Sequence, residues 1–127
     1  MSERRRVFSG SPYEARFGYC RAVRIDNRVL VAGTAPIWPD GSCDPDAGAQ
    51  ARRCYEIIIQ ALAELGADPR HVVRTRVYIT DASHTEAVGS AHGELFAESP
   101  PVNTMVEVGG LVDERWKVEI EAEAVLD

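Results

Sequence analysis

The sequence predicts an α+β fold: one mixed β-sheet with two helices on the same face. Three observations carry this. The chain reads in the order ββ-α-β-α-ββ, two segments between the strands have helical apolar spacing, and two strands carry one apolar and one charged face. Its 127 residues with 45% hydrophobic content are enough for one compact core, so residues 1–127 are expected to form a single domain.

Residues 20–25 and 28–34 are β-prone and separated by Asp26-Asn27, a pair suited to a two-residue hairpin turn. The stretch from Pro36 to Ser42 reads as a loop. A helix is expected over about 45–65, with Asp44 capping its start, Pro45 at its first position and Gly66 at its stop. Tyr55, Ile58, Ile59, Leu62 and Leu65 give that helix an apolar face. Residues 72–80 predict a strand with Val73, Thr75, Val77 and Ile79 on one side and Arg74, Arg76 and Tyr78 on the other. Ser83 to Glu86 has the spacing of a capping box, opening a second helix with Val88, Ala91, Leu95 and Phe96 as its stripe, which must end by Pro100-Pro101. Residues 102–108 and 116–125 complete the strands. In the last, Trp116, Val118, Ile120, Ala122 and Ala124 alternate with Lys117, Glu119, Glu121 and Glu123.

Composition narrows the chemistry. No apolar run reaches membrane-spanning length, and residues 1–9 lack the apolar core of a secretion signal, so a soluble cytoplasmic protein is expected. Cys20, Cys43 and Cys54 fit neither a disulfide framework nor a zinc knuckle. His71, His84 and His92 lack metal-ligand spacing, so neither metal nor cofactor is expected. The net charge of −6 repels phosphate backbones at long range, which argues against nucleic acid as a partner. Arg4-Arg5-Arg6 is read as a solvated terminal arm.

If the helices cover the face of Val77, Ile79, Val118 and Ile120, the opposite face is left with Arg74, Arg76, Tyr78, Glu119, Glu121 and Glu123. Two readings stand side by side. These residues form cross-strand pairs on a solvated surface, or the face packs in a symmetric oligomer around paired charges or a wet cleft.

Five stretches, in order, resemble the Rid/YjgF family of reactive-intermediate deaminases, also called YjgF or L-PSP proteins. They are residues 17–23 (FGYCRAV), 31–36 (VAGTAP), 50–53 (QARR), 72–81 (VVRTRVYITD) and 118–122 (VEIEA). The resemblance implies a chorismate-mutase-like subunit, a homotrimer with its sheets forming a central barrel, and a small-molecule ligand in each cleft between subunits. Tyr19 matches the family's cleft tyrosine, Gly33 the glycine whose backbone N–H holds ligand, and Glu119 the acid that positions water. In the deaminating members an arginine of a Pro-x-Arg motif clamps the carboxylate of a substrate such as 2-aminoacrylate. Here Asn103 stands in its place, Met105 stands where many members have cysteine, and Gly89 where many have asparagine.

A bidentate arginine–carboxylate contact contributes about 1.5–3 kcal/mol, and a neutral amide contact about 0.5–1.5 kcal/mol. A carboxylate beside Glu119 would also meet like charge. The substrate is therefore expected to differ from 2-aminoacrylate, unless Arg21 or Arg76 supplies the missing cation; both are also read as structural ion-pair partners. Glu119 is expected either to orient water and shuttle a proton in imine hydrolysis or to pair with an arginine on a neighbouring strand. Asn103, able to donate and accept, suits a neutral amide, carbonyl or heterocycle. An imine or enamine hydrolase and a non-catalytic small-molecule binder both remain open. The family's older association with endoribonuclease activity and translation inhibition ranks behind them.

Overall fold

The structure, a computed structural model, describes residues 3–127. In chain order the elements are β1 (Arg4–Val7), α1 (Pro12–Phe17), β2 (Ala22–Ile25), β3 (Arg28–Thr34), α2 (Ala47–Glu64), β4 (Val72–Ile79), α3 (Thr85–Phe96), β5 (Val102–Glu107) and β6 (Val118–Val125). The strands form one sheet in the order β1-β2-β3-β6-β4-β5. β4 and β5 are parallel, and the other neighbours are antiparallel. The predicted α+β mixed sheet is thus present, with three helices in place of two.

The sheet's alternation sets its two faces. Val29 and Val31 of β3, Val77 and Ile79 of β4, and Val118, Ile120, Ala122 and Ala124 of β6 are buried beneath Ala51, Tyr55, Ile58 and Leu62 of α2 and Val88, Ala91 and Phe96 of α3. Burying an aliphatic side chain of this size contributes about 1.5–3 kcal/mol, so the shared apolar face drives the helices onto the sheet. Gln50 is the polar exception at 0% exposure. Its amide donates to the carbonyls of Asp44 and Arg115 and accepts from the backbone N–H of Lys117, tying the start of α2 to the entry of β6.

The expected two-residue turn joins β2 to β3, with Ile25 facing Arg28 across the pair and Asp26 at φ 54°. α2 starts later than predicted. Asp46, rather than Asp44, is the cap and accepts from the Ala49 N–H, while the Asp44 carboxylate accepts from the Trp38 indole N–H instead. The helix stops before Gly66, which takes the left-handed φ of 84°.

Other expectations are corrected. Arg4-Arg5-Arg6 is no solvated arm but the edge strand β1, paired with β2. Arg5 and Arg24 donate to the carbonyls of Glu64 and Leu65, placing two cations at the negative end of α2. The Ser83–Glu86 capping box does not form. Asp81 accepts from the Ser83 N–H instead and sets a short 3₁₀ turn ahead of α3. Val73 does not share a face with Thr75: β4 has one extra residue opposite β6 between Val72 and Arg74, and this bulge leaves Val73 exposed and Val72 in the core. The second and last strands begin two residues later than expected, at Ala22 and Val118. α1 was not foreseen. Ser11 caps it, Pro12 opens it and Gly18 closes it at φ 73°, all within too few residues for a helical period to show.

What α1 contributes is Glu14, buried at 3% exposure against Arg21 at 6%. The Arg21 guanidinium donates to Glu14 at 3.1 Å, and Glu14 also accepts from the N–H and hydroxyl of Ser9. Removing one partner of a buried pair leaves an uncompensated charge. Glu14→Ala is therefore expected to destabilise the protein by about 3–5 kcal/mol in denaturant titration, while Glu14→Gln, which keeps an acceptor, costs less.

Candidate functional site

On the sheet face away from α2 and α3, β3 also has one extra residue relative to β6 between Val31 and Thr34. Gly33 lies in this bulge, directly against the carboxylate of Glu119. A Cβ at position 33 would overlap Glu119 Oε2, so the absence of a side chain makes room for the carboxylate. Arg21 holds the bulge from below. One of its N–H groups donates to the Gly33 carbonyl at 2.7 Å and to Thr34 Oγ1 at 3.3 Å, while the rest of the guanidinium faces Glu14. The Tyr19 ring lies 5.6 Å from that guanidinium, in cation–π range. Glu14, Tyr19, Arg21, Gly33 and Glu119 thus form one connected unit.

Glu119 is half-buried, and burial pushes its pKa above the usual carboxylate value; the charge of Arg21 opposes that shift and Glu121 adds to it. Next to it, Tyr78 donates to Glu121 at 2.5 Å, and Arg76 pairs with Glu121 and Glu123 at 3.8 and 3.4 Å. Arg28 reaches Glu123 at 4.0 Å. The cross-strand ion pairs expected of a charged face are present. Arg76, Glu121 and Glu123 line an open groove of about 320 Å³ together with Cys20, Arg21, Leu30 and Arg74.

Both arginines considered as substitutes for the missing cation are engaged, Arg21 with Glu14 and Arg76 with Glu121 and Glu123. Asn103 and Met105 lie elsewhere. They sit on edge strand β5 opposite Thr75 and Val77, so they share the helix-side face, while Glu119 pairs with Tyr78 on the other. Met105 packs against the core, and Asn103 is exposed with its amide donating to Thr75 Oγ1 at 2.9 Å. Within one chain, therefore, Tyr19, Arg21, Gly33 and Glu119 come together and Asn103 and Met105 do not join them.

The sequence reading passed over two residues at the β5 edge. Thr75, at 0% exposure, also bonds His92 Nε2 at 2.7 Å, and the space beside Gly89 on α3 is open. A polar residue on the apolar face of Val77 and Ile79 could have flagged Thr75. For His92 the metal-spacing question was the wrong one.

Two outcomes test this geometry. Gly33→Ala should cost less than about 1 kcal/mol, because the new methyl meets only the movable end of the Glu119 side chain, and in a double-mutant cycle that loss should vanish in the Glu119→Ala background. Glu119→Gln should raise the melting temperature at neutral pH. An acid whose folded pKa is raised binds more protons folded than unfolded just above its unfolded pKa, so stability falls as pH rises through that window. The gain from Gln should therefore shrink as pH falls below about 4.3, where the carboxyl is protonated in both states.

Comparison with known proteins agrees with this architecture. Residues 10–126 match the family described as endoribonuclease L-PSP. An uncharacterised protein of Streptomyces coelicolor is 42% identical over 123 residues, covering 94% of this chain and 90% of the relative. A RutC family protein of Pyrococcus abyssi is 34% identical, covering 84% of each. The crystal structure of a YjgF/YER057c/UK114 family member from Mycobacterium tuberculosis superposes with a TM-score of 0.91 at 43% identity, covering 98% of this chain and all of that one. The Escherichia coli YjgF structure gives 0.79 at 29% identity, covering 84% and 87%. With its sheet order, its Gly33–Glu119 contact and these likenesses in view, the chain belongs to the endoribonuclease L-PSP family, the YjgF/Rid/RutC proteins.

Proposed function

We propose that the protein is an imine or enamine hydrolase, a deaminase, that works as a cytoplasmic homotrimer with its sites in the clefts between subunits. Its substrate lacks the simple 2-imino carboxylate of the 2-aminoacrylate type. The observation that carries the reading is Glu119, a half-desolvated carboxyl with a raised pKa, held over a side-chain-free bulge that Arg21 anchors. Tuning an acid upward toward the operating pH by burial is how a carboxyl becomes an effective proton shuttle.

The chemistry is balanced with water alone. Glu119 takes a proton from water as the oxygen adds to the C=N carbon and hands it to the nitrogen, giving a carbinolamine. It then takes the hydroxyl proton as the C–O bond becomes a carbonyl and passes it to the amine, which leaves as ammonia and returns Glu119 to its starting state. A neighbouring β5 edge would complete the cleft with Asn103 and Met105, which explains why these residues stand apart from Glu119 in one chain. Family relatives carry the word endoribonuclease in their description; the net charge of −6 weighs against RNA here.

A non-catalytic binder is the second reading, favoured by one observation: Arg21 and Arg76 are both committed to carboxylates, so neither stands ready to replace the missing clamp. Ammonia release from imines generated in situ separates the two. The hydrolase reading predicts turnover that falls about 100-fold or more in Glu119→Ala, the typical contribution of a positioned acid–base group. Turnover unchanged in that variant, or stabilising ligands recovered chemically intact, would contradict it.

A further inference from the structure

Three side chains at the β5 edge form a hydrogen-bonded chain. Asn103 Nδ2 donates to Thr75 Oγ1 at 2.9 Å, and Thr75 Oγ1 lies 2.7 Å from His92 Nε2. Thr75 is at 0% exposure, so its single hydroxyl proton must find a protein acceptor. With Asn103 already donating to the oxygen, the available acceptor in this chain is His92 Nε2. That requires His92 to be neutral with its proton on Nδ1. Burial lowers the His92 pKa below its ordinary value, and the ring is wedged against Tyr55 of α2 and Phe96 of α3, with centroids 6.0 and 4.7 Å away.

The consequence lies at the outer end. One Nδ2 proton of Asn103 is spent on Thr75, which fixes the amide's flip and leaves Oδ1 and the second N–H at the exposed edge. A fixed acceptor beside a donor complements a group that itself offers an N–H and a carbonyl. It offers a carboxylate one donor and one repulsive oxygen.

We infer that Asn103, oriented through Thr75 by His92, selects ligands bearing a neutral amide or ureido group over their carboxylate counterparts. His92 is a positioning residue: it acts through Thr75 and touches no ligand itself. The inference rests on the cleft proposed above and names the class of molecule that enters it.

Two measurements on the full-length protein test it. Long-range nitrogen–proton NMR at neutral pH should show His92 as the Nδ1–H tautomer, with Thr75→Ser keeping that pattern and Thr75→Val losing it. His92 found with its proton on Nε2 would overturn the chain's direction. Ligand-observed NMR titration with 2-oxobutanamide and 2-oxobutyrate should then give tighter binding of the amide by about tenfold, the worth of one added hydrogen bond and one removed repulsion. The preference should collapse in Thr75→Val, survive in Thr75→Ser and reverse in Asn103→Arg. Equal or tighter binding of 2-oxobutyrate to the unaltered protein would refute the inference. Binding of the amide without ammonia release from the matching imine would count against the hydrolase reading alone.

Discussion

The buried pair of Glu14 and Arg21 is the constraint on which the site depends. A charge in the interior must be matched and hydrogen-bonded, and this one is matched twice over: Glu14 takes one side of the guanidinium, and the Gly33 carbonyl and Thr34 hydroxyl take the other. The pair therefore fixes the β3 bulge relative to α1. The bulge brings Gly33 beneath β6, and the space a side chain would take there holds the carboxylate of Glu119. Remove the arginine and the bulge loses its anchor; place a methyl group on Gly33 and Glu119 must move.

The same logic explains why Arg21 makes a poor replacement for a substrate clamp. Its hydrogen bonds are already made, to Glu14, Gly33 and Thr34, and its charge also acts on Glu119. The net effect on Glu119 is a contest between burial, which raises its pKa, and Arg21, which lowers it. Burial wins. A carboxyl so placed costs the fold some stability near neutral pH.

Much of the fold could be read from the residues because its signals are periodic. The alternation of Val118, Ile120, Ala122 and Ala124 with Lys117, Glu119, Glu121 and Glu123 fixes both faces of β6, and Tyr55, Ile58 and Leu62 fix the buried side of α2. What escaped was local or long-range. The bulges at Val73 and Gly33 interrupt the period of two without a compositional marker, α1 is shorter than two turns, and Arg4–Arg6 reads as a charged tail until β2 is there to pair with it. At the site, Glu119, Gly33 and Tyr19 were found through family likeness. Their contact with Arg21 and Glu14 depends on α1 folding back, and the Thr75–His92 bond joins residues 17 apart across a strand and a helix. Neither carries a signature in spacing.

The central claim is that Glu119 is held partly out of water above Gly33, and titrating that one carboxyl tests it most directly. Selective carbon NMR of the Glu119 side chain across the acid range should give a midpoint above the ordinary glutamate value of about 4.3. A midpoint at or below that value would show a solvated or tightly paired carboxylate, and the case for proton transfer at this position would fail.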